Sequence, residues 1–598
     1  RYLETEADQE EERQRPTDDL DLCSPACIED VRAPETHERG QPSTTVAPAS
    51  SEPAEKGPSL AEVAETEEPT AWTSLQWQDD FTGAGHEPLK GKQFNDMIMA
   101  KASAGEILDL LDVSLLEFSV VNAVTALHRI AKAEDGHRWR KDPRIHYLNR
   151  RITAMFTSSK KDEMDKKETG RRVPGEDWVY YIDTRSLCNA AWAFAHLGLK
   201  HDAMMDIVSE ETCRKIFDCS AQQLAMCAWS FAKMSRRDLQ LMQSLADEAV
   251  QRLAEFSPQH IMNTVWACAK LNFLHVRLLV AIADAALPLL EDFTPQHLSI
   301  TAWGLATLGF RHLPLMDGIA KEVLINLRAF KAQNIANTAW AYSTLGIYQR
   351  DLFDKLADFS TPRLRHFSPQ NLSNLVWSYS NMRLRHEGLF QAVAKETCAR
   401  IDEFDPKALA MLTSSFASMR VRHEVLFEAV RCAAETRLDS FQARDLESLA
   451  VAFATAQIRA DSLFEAIVRR SRTMLADFNS LDLANLALAL RTKASWEDPD
   501  TATADLLSDI ARHAIPQLRA GNAPSQALVD FAWSFRALPL ANLQDFWTAW
   551  SSEVLRKMSR HDLRHLVALE ALSPAPTRAA VGQQLGRVTH AMDSPPHD

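Results

Sequence analysis

The chain has 598 residues, 46% hydrophobic and 25% charged, an ordinary composition for a folded protein with a large core. This composition excludes a collagen, a disulfide scaffold and a wholly disordered protein, and its 18 glycines and 8% aromatics favour helices over a β-sandwich or a glycine-looped nucleotide enzyme. The net charge of −15 resides in residues 1–80, which hold 21 acidic and 6 basic residues, so the rest of the chain is neutral.

Residues 1–80 read as a disordered acidic tail. From residue 5 to 70 they are rich in Glu, Pro, Ser and Thr and poor in aromatics, too little apolar surface to offset the entropy of ordering. Cys23 and Cys27 lack a second nearby pair of Cys or His, so they read as two thiols rather than a zinc site. The nine scattered cysteines fit a reducing compartment. The chain starts at Arg1 without a methionine, so a targeting peptide upstream is out of view, and no stretch reads as a membrane span.

Residues 81–132 read as a helical lead-in carrying a first divergent repeat around Asn122-Ala123-Val124-Thr125. A basic insertion follows at 133–183, where Arg138 to Arg172 hold twelve basic and five acidic residues, with Trp139 and Tyr147 among them. Such a mixture suits single-stranded nucleic acid, or a mobile loop docking on an acidic partner.

From there a repeat dominates. Trp192, Trp229, Trp266, Trp303, Trp340 and Trp377 are each 37 residues apart, within strings such as Asn263-Thr264-Val265-Trp266-Ala267 and Asn374-Leu375-Val376-Trp377-Ser378. Upstream, Phe256-Ser257-Pro258-Gln259 returns as Phe293-Thr294-Pro295-Gln296 and Phe367-Ser368-Pro369-Gln370, and Phe404, Phe441 and Phe478 keep the register after the Trp is lost. Nine in-register units are expected over 184–517, a divergent capping repeat with Trp533 over 518–572, and a tail over 573–598. Ser or Thr followed by Pro is an N-cap with proline in the first turn, and each unit reads as two helices. The expected fold is therefore all-α, an armadillo-like α-solenoid of stacked helix pairs.

Offsets within each unit, counted from Gln259 and its equivalents, separate structural from variable positions. Offsets 2, 6, 7 and 9 are apolar and share one broad side of the first helix, so the Trp at offset 7 is expected in the core. Offsets 1, 4, 8 and 11 form another stripe: small at 8, polar at 11 and variable at 1 and 4. A small residue among variable hydrogen-bonding residues suits an unstacked base. Asn189, Asn263, Asn337, Asn374 and Asn485 at offset 4, with His260, His297, Asn334 and Asn371 at offset 1, are the candidate base contacts. Lys200, Arg237, Arg311, Arg385, Arg422 and Arg459 at offset 15, in the turn between helices, line up as a ribbon for phosphates, joined by Lys233 and Lys270 at offset 11. Histidines such as His275 and His312 sit one residue after that ribbon. No phosphate-cradling loop, zinc-protease motif or nucleophile elbow is present, so no enzyme, metal or cofactor is expected.

With these motifs in view, residues 90–540 resemble the heptatricopeptide and octotricopeptide repeat proteins, relatives of the FAST-kinase-like and RAP-domain proteins of algal, dinoflagellate and apicomplexan organelles. The lead-in from Phe94 through Leu108 to Asn122 resembles that group too. The resemblance implies binding of organellar single-stranded RNA in plastid or mitochondrion, with roles in transcript stability, processing or translation, alongside proteins of an RNA-processing or ribosomal assembly. It departs at the C-terminus, where residues 540–598 show no α/β unit of RAP type, so RNA cleavage is not expected. The rival reading is a scaffold whose groove takes an extended peptide.

Overall fold

The computed structural model describes residues 91–169, 182–494, 501–535 and 543–557. The acidic tail at 1–80 and the terminal tail at 573–598 lie outside them. Every regular element among the described residues is a helix, in two compact units that part between Ala193 and Phe194.

The N-terminal unit holds α1 (Gly91–Met99), α2 (Ala104–Ser114), α3 (Val120–Lys132), α4 (Pro143–Thr169) and the start of α5 (Thr184–Leu197). Ser119 and Asn122 form a reciprocal cap at the start of α3, and the Asn122 amide also donates to the Gly91 carbonyl (2.7 Å) and to Asn95 Oδ1 (2.8 Å). The Asn of the divergent repeat is therefore a buried tie between α1 and α3. The basic segment departs from the mobile-loop expectation. Much of it is α4, which buries Ile145, Leu148, Ile152 and Phe156, while Arg144 spans Asp109, Asp112 and Asp142. Trp139 is likewise occupied: its indole donates to Asp135 (2.9 Å) and its ring packs against Gly105.

The larger unit alternates two kinds of helix. The A helices are α7 (Ala221–Lys233), α9 (Pro258–Lys270), α11 (Pro295–Thr307), α13 (Ala332–Thr344), α15 (Pro369–Asn381), α17 (Pro406–Ser418), α19 (Ala443–Thr455), α21 (Ser480–Ala494) and α23 (Ser525–Phe535). The B helices are α6 (Asp202–Arg214), α8 (Leu239–Gln251), α10 (Val276–Ala286), α12 (Leu313–Asn326), α14 (Arg350–Ser360), α16 (Glu387–Ala399), α18 (Glu424–Arg437), α20 (Asp461–Arg472), α22 (Thr501–Arg519) and α24 (Gln544–Lys557). Each A helix packs on the next A helix and each B helix on the next B helix, giving the two stacked layers of an α-solenoid.

Local chemistry sets each boundary. Ser220, Ser257, Thr294, Ser368 and Asp405 cap the A helices by accepting from the N–H three residues on, and proline occupies the first turn of four of these five. The A helix ends in a left-handed residue at offset 13, glycine at Gly309 and Gly346 but Ser235, Asn272, Arg383, Arg420 and Gln457 elsewhere. Between the layers, the aromatic at offset 9 meets a B-helix ring edge to face, as in Phe353–Tyr379 (5.1 Å), Phe390–Phe416 (5.0 Å) and Phe427–Phe453 (5.1 Å). Tyr342 and Tyr379 satisfy their buried hydroxyls on the Met316 and Phe353 carbonyls, at 2.5 Å each.

An arginine at the end of the B helix then ties successive repeats. Arg252 donates to the Cys219 carbonyl, Arg400 to the Phe367 carbonyl (3.0 Å) and Arg437 to the Phe404 carbonyl (3.0 Å), each partner lying 33 residues back. These clamps carry charge-assisted bonds into the B-to-A turn, where backbone carbonyls would otherwise lack partners.

Candidate nucleic-acid interface

What the A helices leave uncovered follows from their small residues. Offset 8 (Ala267, Gly304, Ala341, Ser378) and offset 3 (Ser299, Ala336, Ser373) are buried. They flank the helix on opposite sides and let neighbouring A helices approach closely; a methyl on Gly304 would sit 2.7 Å from Val265 Cγ1 and 3.2 Å from the Val265 carbonyl. The small residue at offset 8 therefore makes room for a helix rather than for a base, which corrects the sequence reading.

The free edge is offsets 0, 4, 7 and 11. Trp229, Trp266, Trp303, Trp340 and Trp377 at offset 7 are half-buried and stand on this edge, not in the core where the periodicity placed them. Their rings form a strip in two runs: Trp229 and Trp266 are 6.0 Å apart, and Trp303, Trp340 and Trp377 follow one another at 6.4 and 6.5 Å. None of these five indole N–H groups has a hydrogen-bond partner. Trp192, in the N-terminal unit, packs on His128 at 4.8 Å.

The offset-4 residues one turn earlier fall into two groups. Asn189, Asn263, Asn337 and Asn374 are half-buried with side-chain amides that bond to nothing. Asn485 instead is buried, 5% exposed, and bonds Glu447, so it leaves this edge. At offset 1, side chains proposed for bases carry a structural duty. His260 and His297 accept the N–H of Ser257 and Thr294 through Nδ1, at 3.3 Å each, and Asn334 Oδ1 accepts that of Lys331 (3.1 Å). Burial holds both imidazoles below their usual range, so each stays a neutral acceptor. Asn334 also donates to Ser299 Oγ in the preceding repeat (3.0 Å). Asn371 alone of these four keeps its amide out of the cap.

The cations of the A-to-B turn are all exposed. Lys200, Arg237, Arg311 and Arg385 have no acidic partner, whereas Arg422 pairs with Glu424 (3.3 Å) and Arg459 with Asp461 (2.6 Å). Lys233 and Lys270 stand exposed in the last turns of α7 and α9, also unpaired. The turn histidines do not extend the ribbon. His275, His312, His386 and His423 cap the B helices, Nδ1 accepting the N–H three residues on at 3.1–3.3 Å, and the Nε2 of His275, His312 and His386 faces Asp247, Asp284 and Asp358 of the preceding B helix at 3.6–3.9 Å.

One feature of the A layer had no sequence signal. Glu447 on α19 is buried, and desolvation together with Asp482 of α21 pushes its carboxyl up to about 7. Among the described residues no cluster of His, Cys, Asp and Glu could hold a metal ion, and no helix is long and apolar enough to cross a membrane.

Stacked helix pairs with a free aromatic and amide edge define a helical-repeat binding protein. Its kinship is specific: the sequence profile of the RNA-editing substrate-binding complex 6 protein matches residues 162–439 and 359–500, and the chain belongs to that family. No curated protein matches the chain. Among solved structures, a homology model of the full-length AP-3 complex in an intermediate open conformation aligns with 84% of this chain and 93% of its own. The identity is 11% and the TM-score 0.27, too low to carry an argument.

Proposed function

We propose that the free edge of the A helices binds single-stranded RNA without catalysing any reaction on it, as an adaptor within an RNA-processing assembly of an organelle. The observation that carries this reading is the Asn–Trp pair recurring at the same offsets: a half-exposed ring for a base to lie against, and an unpaired amide one turn away for its edge. Asn263, Asn337 and Asn374 are the proposed base contacts, the Trp strip the stacking surface, and Lys233, Lys270 and the unpaired turn cations the phosphate contacts. Membership of a family named for binding RNA-editing substrates supports the reading. Roles in transcript stability, processing or translation, as in the heptatricopeptide-type proteins, belong to the same proposal.

The test is selection of the full chain against a random single-stranded RNA pool at two salt concentrations, with duplex DNA as control. Enrichment of one motif, with affinity falling log-linearly with salt, is the expected result. Binding no tighter than to the duplex control at low salt overturns it.

A further inference from the structure

The inter-repeat clamp fails at one of its arginines. Arg252, Arg363, Arg400 and Arg437 occupy the same register, and by that register Arg363 belongs on the Phe330 carbonyl. Instead its guanidinium lies over the Phe359 ring, 4.0 Å from the centroid, and donates to the Phe359 carbonyl (2.7 Å). The cause is local. Arg252, Arg400 and Arg437 each precede a three-residue 3-10 turn, whereas Pro362 opens a six-residue 3-10 turn, Thr361–His366, that takes Arg363 into itself.

Where the clamp is missing there is a cavity of about 480 Å³ between the B-to-A turns of two successive repeats. Phe330, Phe359 and Phe367 supply aromatic walls, and Lys331, Arg363 and His366 stand exposed around it. Asn371, the offset-1 side chain that is not spent on capping, lines it as well. Arg365 donates to His366 Nε2 (3.2 Å), adding another cation beside the rim. The site lies at the N-terminal ends of α13 and α15, roughly 20 Å, the length of an A helix, from the turn cations at the other end.

We infer that this cavity is a binding site for one nucleotide unit, its base against the phenylalanine walls and Asn371, its phosphate between Arg363, Lys331 and His366. The volume falls within the range of small-ligand pockets. Aromatic walls beside Arg363 and Lys331, neither of which pairs with an acid, match a ring joined to an anion, whereas an anion alone gains nothing from the walls. This goes beyond the Asn–Trp edge and stands without it.

Calorimetric titration of the full chain with uridine and adenosine monophosphate tests it. The expected result is saturable one-site binding, at least tenfold weaker for the nucleoside and for inorganic phosphate, and weakened tenfold or more by Arg363→Gln and by Asn371→Ala. Ala332→Trp, which fills the cavity, removes binding while the thermal melt stays unchanged. A 5′-phosphorylated oligonucleotide that displaces uridine monophosphate better than its unphosphorylated twin identifies an RNA end as the source, and equal displacement identifies a free nucleotide. No saturable binding at millimolar nucleotide, or binding indifferent to Arg363→Gln, overturns the site. Substitution of the Trp strip separates the two readings, because it removes RNA binding at the edge and leaves nucleotide binding here intact.

Discussion

The repeats up to α15 and those from α17 onward share one scaffold and differ in what they show to solvent. From α9 to α21 both keep the 37-residue register, a buried Phe before each A helix and the A-on-A packing. At offset 7, however, Trp377 gives way to Ser414, Val451 and Leu488. The turn arginines change with it, from unpaired Arg237, Arg311 and Arg385 to Arg422 and Arg459 held by acids, while Asn485 and Glu447 turn inward. The later repeats act as an internal control. There α17, α19 and α21 stack with no tryptophan at offset 7, so stacking does not require it, and a half-exposed ring kept through the earlier repeats is left free for another purpose.

The strongest way to break this contrast is the triple variant Trp303→Ala, Trp340→Ala, Trp377→Ala. Stacking is worth about 1–3 kcal/mol per base, so affinity for single-stranded RNA falls at least 100-fold by fluorescence anisotropy, whereas Val451→Ala stays within about twofold of the parent. In the later region the largest effect is on stability. Glu447 holds a proton in the fold up to about pH 7 that the unfolded chain releases near 4.5. The folded state thus binds more protons in between, and stability present below that window is lost as pH rises through it, by roughly 3 kcal/mol. Urea unfolding from pH 4.5 to 8 shows that fall, and Glu447→Gln makes it shallower, leaving the share of Asp530, which burial also raises to about 6.

Charge gives a smaller and sharper separation. Replacing Arg237, Arg311 and Arg385 by Gln lowers the slope of log affinity against log salt by about 2, because each phosphate contact to a single strand contributes about 0.7. Arg422→Gln with Arg459→Gln leaves the slope unchanged. The least effect comes from Asn263→Ala, Asn337→Ala or Asn374→Ala taken singly. Each costs severalfold in affinity and relaxes the selected motif at one position, read by sequencing the bound pool.

Much of the architecture was legible because a repeat states its own register: the caps at Ser257 and Thr294 and the helix pairs follow from positions 37 apart. The orientation of the A helices was not. A helical wheel shows which residues share a side, but which side is covered depends on how closely the neighbouring helix comes, and that is set by Gly304, Ala341 and Ser378 rather than by the large residues. Trp was read as core for this reason. The histidines show a second limit, since an imidazole nitrogen can cap a helix as an aspartate does, and nothing in the sequence around His275 or His312 announces that duty. Arg363 was invisible until its three clamping counterparts could be compared with it.

The left-handed turn residues carry a different consequence. Ser235, Arg383, Arg420 and Gln457 hold φ between 52 and 55°, a backbone that disfavours a side chain by about 1 kcal/mol, while Gly309 and Gly346 adopt it freely. Evolution has thus left thermal headroom in the joints between helices. Glycine at those four sites would raise the melting temperature without touching the A-helix edge, and a heat-tolerant version of this protein could be built from its hinges alone.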